Sequence, residues 1–270
     1  MGKSILGECR ICGEVTKLTF EHVPPESAFN KKGIKIISTN ELIKTITEPN
    51  REPWNFEGLK YRQQQKGSGG YYLCESCNSK TGKWYVPFYL DFLYGFRSVL
   101  KLPELKAEEI LQVSAKSFRP LAVFKQIMTM FCDINHFCPS DEKLKAFLLD
   151  KNCTEFDCNK YRIFMYVFAG GIQRIHSIAG MLIGNVGLLL SEIVSPPLGF
   201  VLYIDLPERL PPYIQLPGCE ITEFCHYNYD DVRDASFILP IHECNIYFPA
   251  DFRTKSELRQ STDEDKAEND

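Results

Sequence analysis

The chain has 270 residues, 44% of them hydrophobic and 24% charged, which excludes wholesale disorder. At about 150 residues per domain it has room for two. A net charge of -4 excludes a uniformly basic polyanion binder, but the charge is uneven. Residues 1–88 hold 13 Lys+Arg against 9 Asp+Glu, a net of +4, and the remaining residues hold 18 against 26, a net of -8.

Residues 1–20 carry no apolar signal-like run, since Lys3, Glu8, Arg10, Glu14 and Lys17 interrupt it. With 11 cysteines, an odd number, a reducing compartment and a cytoplasmic location are expected. In such a compartment, paired cysteines read as metal ligands rather than disulfides.

The first such pair is Cys9-x-x-Cys12, ending in Gly13 and followed by a predicted strand over Val15–Phe20. From Pro24 to Gly70 the chain is polar with few regular signals, and loops of that length are commonly functional. Residues 31–66 within it hold eight Lys+Arg and four Asp+Glu, with Trp54, Phe56 and Tyr61 interleaved. Such a stretch suits phosphate neutralisation and base stacking. Tyr71–Leu73 reads as a short strand entering Cys74-x-x-Cys77, and Asn78–Trp84 as the start of a helix.

Beyond residue 88 the texture changes. Apolar residues recur at helical spacing over 104–116 and over 119–133, where Leu121, Phe124, Ile127, Met128 and Phe131 share one face. From Tyr161 to Asp205, β-branched and aromatic runs broken by Gly and Pro predict an antiparallel sheet. The apolar stretch from Ile175 to Val194 is long enough for a membrane span, but its flanks read as strands, so no membrane partner is expected. The segment 255–270 is acidic and expected to be disordered.

The two Cys-x-x-Cys pairs offer four thiolates, the tetrahedral sulfur shell zinc prefers, with no position left open. Cys9, Cys12, Cys74 and Cys77 are therefore expected to hold a structural zinc. The ion would matter for folding, because structural zinc contributes about 10–16 kcal/mol against a net domain stability of about 5–15 kcal/mol. The remaining cysteines, including Cys153, Cys158, Cys219, Cys225 and Cys244 with His226 and His242 nearby, fit zinc spacings poorly and read as buried free thiols.

Between the pairs stands Glu21-His22-Val23-Pro24-Pro25, and after the second pair Asn78-Ser79-Lys80-Thr81-Gly82. Over residues 8–84 this arrangement resembles the HNH endonuclease family, with its ββα-metal fold. The resemblance implies a zinc-stabilised nuclease module over 1–88 with a basic insertion at 24–70. An α+β domain over 89–254, helices followed by an antiparallel sheet, would select substrate, oligomerise or sense a signal. It implies phosphodiester hydrolysis, DNA ahead of RNA, with His22 as general base and Glu21 and Asn78 holding Mg²⁺ or Mn²⁺. A neutral imidazole can deprotonate water near neutrality, and a hard divalent ion takes oxygen ligands. Lys60, Arg62, Lys66 and Lys80 would contact nucleic acid, and a homo-oligomer or an activating protein partner is possible. Stand-alone proteins of this kind often serve bacterial or phage-related restriction and defence.

The family's middle Asn has no counterpart just before the second pair, where Lys66–Tyr72 contains none; Ser68 and Asn55 are the candidates to stand in. The alternatives are a non-catalytic zinc-stabilised nucleic-acid-binding module and a protein-interaction scaffold.

Overall fold

A computed structural model of the chain describes residues 5–48, 51–52, 54–102, 105–107, 109–169, 173–243 and 249–260. Cys244, Glu104 and residues 261–270 of the acidic tail lie outside them. The architecture is mixed α+β, 29% helix and 33% strand.

Strand β1 (Ile5–Glu8) runs antiparallel to β2 (Val15–His22). The turn between them carries Cys9 and Cys12 and closes at Gly13, whose φ of +81° suits glycine and whose N–H donates to Cys9 O at 2.9 Å. On its other side β2 pairs antiparallel with β5 (Gly69–Cys74), from Leu18 opposite Cys74 to His22 opposite Gly69. The sheet order is β1-β2-β5. Tyr72 is the extra residue of a bulge between Leu73, opposite Thr19, and Tyr71, opposite Phe20.

The intervening segment is more regular than its composition suggests. Strands β3 (Ile34–Ile36) and β4 (Arg62–Gln64) form an antiparallel ribbon. Helix α1 (Thr39–Thr47) begins at Ser38, whose hydroxyl caps the Glu41 N–H. After β5 the chain enters α2 (Glu75–Trp84) and then α3 (Val86–Gly95).

The helix expected over 104–116 is instead largely strand β6 (Ile110–Phe118). Val113 and Ala115 alternate inward at period two; Ile110–Ala115 pair residue for residue with β12 (Arg233–His242), and after a bulge Phe118 pairs with Arg233. Pairing across more than a hundred residues outweighs the local helical spacing. Helix α4 (Pro120–Ile134) follows, with Pro120 in its first turn after an extended Arg119. Asp141 caps α5 (Glu142–Leu149) by accepting from the Leu144 N–H at 3.0 Å.

The antiparallel sheet expected from Tyr161 onward is present as β7 (Tyr161–Phe168), β8 (Arg174–Ile183), β9 (Val186–Ser195) and β10 (Leu198–Ile204). The full order is β6-β12-β7-β10-β9-β8, with β11 (Cys219–Glu220) added to β7 and only β12–β7 parallel. The apolar run 175–194 is the β8–β9 hairpin. Among the described residues no helix is long and apolar enough to cross a membrane.

Helix α4 organises the interior. A single stripe was expected, but every one of its 15 residues is buried, because it packs against α2, α3 and β5, against β8 and β9, and against the 3-10 helix Thr222–His226. Leu121, Phe124, Ile127 and Phe131 are fully enclosed; each such side chain contributes about 1.5–3 kcal/mol by leaving water. One apolar core runs from Cys9, Ile11 and Leu73 through α4 to Phe200 and Ile241 without a break. The boundary expected at residue 88 falls inside α3.

The expected disordered tail also begins as structure. Residues 255–260 are helical, and Leu258, 5% exposed, packs on Leu42, Trp54 and Phe56.

Candidate metal centre and active site

The four cysteines converge. Cys9, Cys12, Cys74 and Cys77 place their sulfurs within 4.8 Å of one another. The Cys12 and Cys74 sulfurs are 3.9 Å apart, against roughly 3.8 Å for two thiolates of a tetrahedral zinc. Cys74 ends β5 and caps α2, its sulfur accepting from the Cys77 N–H at 3.4 Å, while the Cys74 N–H donates to the Cys9 sulfur at 3.3 Å. Backbone N–H groups aimed at sulfur favour thiolates. The hydrogen bond from Cys77 lowers the Cys9 thiol to about 4 and pushes Cys77 upward, so the sulfurs cannot all ionise side by side without a cation. The donor set and spacing fit a structural metal such as zinc.

The residues expected to hold a second ion sit beside this centre. Asn78 lies one turn into α2, and Cys74, not Asn78, is the cap. The Asn78 Nδ2 donates to Thr19 Oγ1 at 2.9 Å, and the Thr19 hydroxyl donates to Leu73 O at 2.9 Å. This chain of bonds uses one amide proton of Asn78 and orients its amide plane. Thr19 and Glu21 alternate onto the same face of β2, so Glu21 shares the α2 side of the strand. Burial raises the Glu21 carboxyl to about 7.

A further carboxyl belongs to this face. Asp133 on α4 is 1% exposed, and its Oδ1 has no hydrogen-bond partner among the described residues. Burial, and then the charge of Glu21, holds it well above the usual carboxylate range. Nothing in the local sequence marks Asp133, which reads there as one polar position in an apolar helix.

His22 leaves the opposite side of β2. Its ring meets Phe20 edge-on at 5.0 Å, and Phe20 meets Tyr71 at 5.5 Å. It is the last residue of β2, opposite Gly69. Strand alternation therefore separates His22 from the Glu21–Asn78 pair by one face, and the described geometry does not bring the three side chains into contact.

The brace of the loop after His22 is Asn30, not Ser68 or Asn55 as side chains. Its Nδ2 donates to Pro24 O at 2.6 Å and Ser68 O at 2.8 Å, and its Oδ1 accepts from the Ser68 N–H at 2.7 Å. Ser68 takes part only through its backbone, and its carbonyl also accepts from the Val23 N–H at 3.1 Å. Gly67 (φ +74°) lies so close that a Cβ there would sit 2.1 Å from Asn30 O. A Cβ on Gly69 would sit equally close to Glu21 O. The glycine run before the second cysteine pair is thus a close-approach surface for the Glu21–Asn30 loop. Nothing local marks Asn30, because two of its three bonds go to Ser68, 38 residues further on.

The partners expected from the basic insertion require correction. Its aromatic faces are taken: Arg259 and Lys255 lie over Trp54 at 5.1 and 5.6 Å, Phe56 packs in the Leu258 cluster, and Lys35 lies over Tyr61 at 4.5 Å. Arg62 bonds Gln64 at 3.3 Å, and the Lys60 backbone is tied to Glu41 at 3.1 Å. Lys66 and Lys80 are exposed. Trp54, Phe56 and Tyr61 thus already carry contacts from the chain itself, and among the described residues neither bound nucleic acid, a homo-oligomer nor an activating protein finds support. No protein-family model, curated protein or solved structure matches the chain.

Proposed function

We propose that residues 5–95 form a metal-dependent HNH-type nuclease module that hydrolyses phosphodiester bonds. The observation that carries this reading is Asn78: directly after a four-cysteine centre, its amide is oriented by Thr19, which alternates with Glu21 onto one face of β2. Glu21 and Asn78 would be the oxygen donors for Mg²⁺ or Mn²⁺, and Asp133, held protonated beside Glu21 when no ion is bound, would give up its proton only as the ion's charge arrives. The bound ion would neutralise charge on the phosphate and the leaving oxygen. His22, next to Glu21 in sequence but on the other face of β2, would accept the proton of the attacking water once substrate and ion bring the two faces' groups to one phosphate. Asn30 holds the loop that follows His22 through Pro24 and Ser68.

The test is cleavage of supercoiled plasmid and of bis(p-nitrophenyl) phosphate by full-length protein, titrated with Mg²⁺ and Mn²⁺. His22→Ala should lower the rate by roughly 10²–10⁴ at every metal concentration, whereas Glu21→Gln should recover partly at high Mn²⁺. Absence of cleavage with either metal, or full activity in His22→Ala, refutes the assignment.

A further inference from the structure

A second group of ligands lies outside the centre already described. Cys158 stands in the loop before β7, and Cys225 and His226 end the short 3-10 helix Thr222–His226. Their ligand atoms all lie within 4.8 Å of one another. The Cys158 sulfur is 3.3 Å from the Cys225 sulfur and 3.6 Å from His226 Nε2. A tetrahedral zinc with ordinary bond lengths separates sulfur from nitrogen by roughly 3.6 Å and sulfur from sulfur by roughly 3.8 Å. The 3.3 Å pair is within half an ångström of that, and more than an ångström beyond the S–S bond of about 2.05 Å that a disulfide needs.

The fold holds these residues from both sides. Phe156 anchors the Cys158 loop, meeting Phe124 and Phe147 at 4.9 Å each. The 3-10 helix is fastened to β7, with the Ile163 N–H donating to Thr222 Oγ1 at 3.0 Å and the Ile221 N–H to Ile163 O at 2.9 Å. Both supports converge on the start of β7, so the triad is built by tertiary structure rather than by a sequence knuckle.

One side is open. A cleft of about 470 Å³ is lined by Cys158, Glu220, Thr222, Glu223 and His226. Glu220 is engaged by Arg162 through two bonds of 2.9 and 2.6 Å. Glu223 is exposed, and its carboxylate adds negative charge at the mouth. Three protein ligands plus an accessible fourth position distinguish an exchangeable zinc site from a closed structural one.

We propose that Cys158, Cys225 and His226 bind one thiolate-preferring divalent ion of the zinc class, with its fourth position open to water or a small anion from the cleft. This stands independently of the nuclease reading. The test uses the full chain purified under reducing conditions. Elemental analysis should find about two zinc per chain, and Cys225→Ser should remove one while leaving the one that Cys74→Ser removes. His226→Ala, at an exposed position, keeps both thiols and the fold and should also lose that second ion or hold it far more weakly. Co²⁺ loaded at this site should show thiolate-to-cobalt charge transfer that shifts when azide is added. The proposal is overturned if Cys225→Ser and wild type hold the same amount of zinc. Recovery of a Cys158–Cys225 disulfide from wild type in place of a metal also overturns it, and an azide-insensitive cobalt spectrum overturns the open position.

Discussion

Removing the Asn30 side chain tests the loop architecture most directly. Asn30 is 2% exposed and makes three side-chain hydrogen bonds, two donated to carbonyls and one accepted from the Ser68 N–H. Asn30→Ala leaves a buried N–H and two carbonyls without their partner, and each orphaned buried group costs about 1–3 kcal/mol. The Ser68 carbonyl keeps its bond from Val23 and a water can enter the vacated space, so the net loss should be about 2–4 kcal/mol. Urea denaturation should show a lowered midpoint with an unchanged slope, the signature of lost stability in an unaltered unfolded state. Amide exchange should localise the loss, with Val23 and Ser68 exchanging faster while the α4 amides keep their relative order. Asn30→Asp is the sharper companion, because it matches the shape but sets a carboxylate oxygen against the two carbonyls. If Asn30→Ala unfolds within about 0.5 kcal/mol of wild type, with protection at Val23 and Ser68 intact, the brace is not what holds this loop.

Two further predictions concern metal and pH. Cys74→Ser should lose one zinc per chain and disrupt residues 5–95, seen as a lowered thermal midpoint and loss of the near-ultraviolet signal of Tyr72 and Trp84; a protein that folds and melts as wild type without that ion would exclude a structural role. Burial, and then Arg174, lowers His176 to about 4, so the folded state holds this imidazole neutral. An unfolded histidine titrates near 6.5. The stability it protects is complete above pH 6.5 and falls away as pH drops toward 4, by up to about 3 kcal/mol. Urea titrations of wild type and His176→Gln at pH 7 and 4.5 should show a smaller acid loss in the variant, and equal losses would refute the assignment.

What could be read from the sequence was whatever rests on local signals. The Cys-x-x-Cys pairs, the β2 and β5 strands and the start of α2 are short-range patterns, and the antiparallel run after Tyr161 announces itself by composition. Elements whose identity depends on distant partners were misread. Ile110–Phe118 has enough apolar residues to resemble a helix until β12 fixes its register, and α4 shows one apolar stripe although two sides of the protein close over it. The site residues divide in the same way. Glu21, His22 and Asn78 lie within recognisable motifs, whereas Asn30 bonds Ser68, 38 residues further on, and Asp133 feels Glu21 from a different part of the chain. The Cys158–Cys225–His226 group looked like unrelated thiols because its spacing is set by β7, not by the chain.

The helix without a wet side has a practical consequence for anyone dissecting this protein. Since α4 is enclosed by elements from both halves, it cannot be assigned to either as a soluble fragment. A piece ending near residue 88 keeps both cysteine pairs but strips the cover from Ile11, Leu73 and Tyr85, all fully buried in the whole chain. The complementary piece carries an oily cylinder into water. Expressed apart, the halves should be insoluble; expressed together, they should reassemble by fragment complementation, and a protease nick in the connection between α3 and α4 should leave the two pieces co-eluting as one particle.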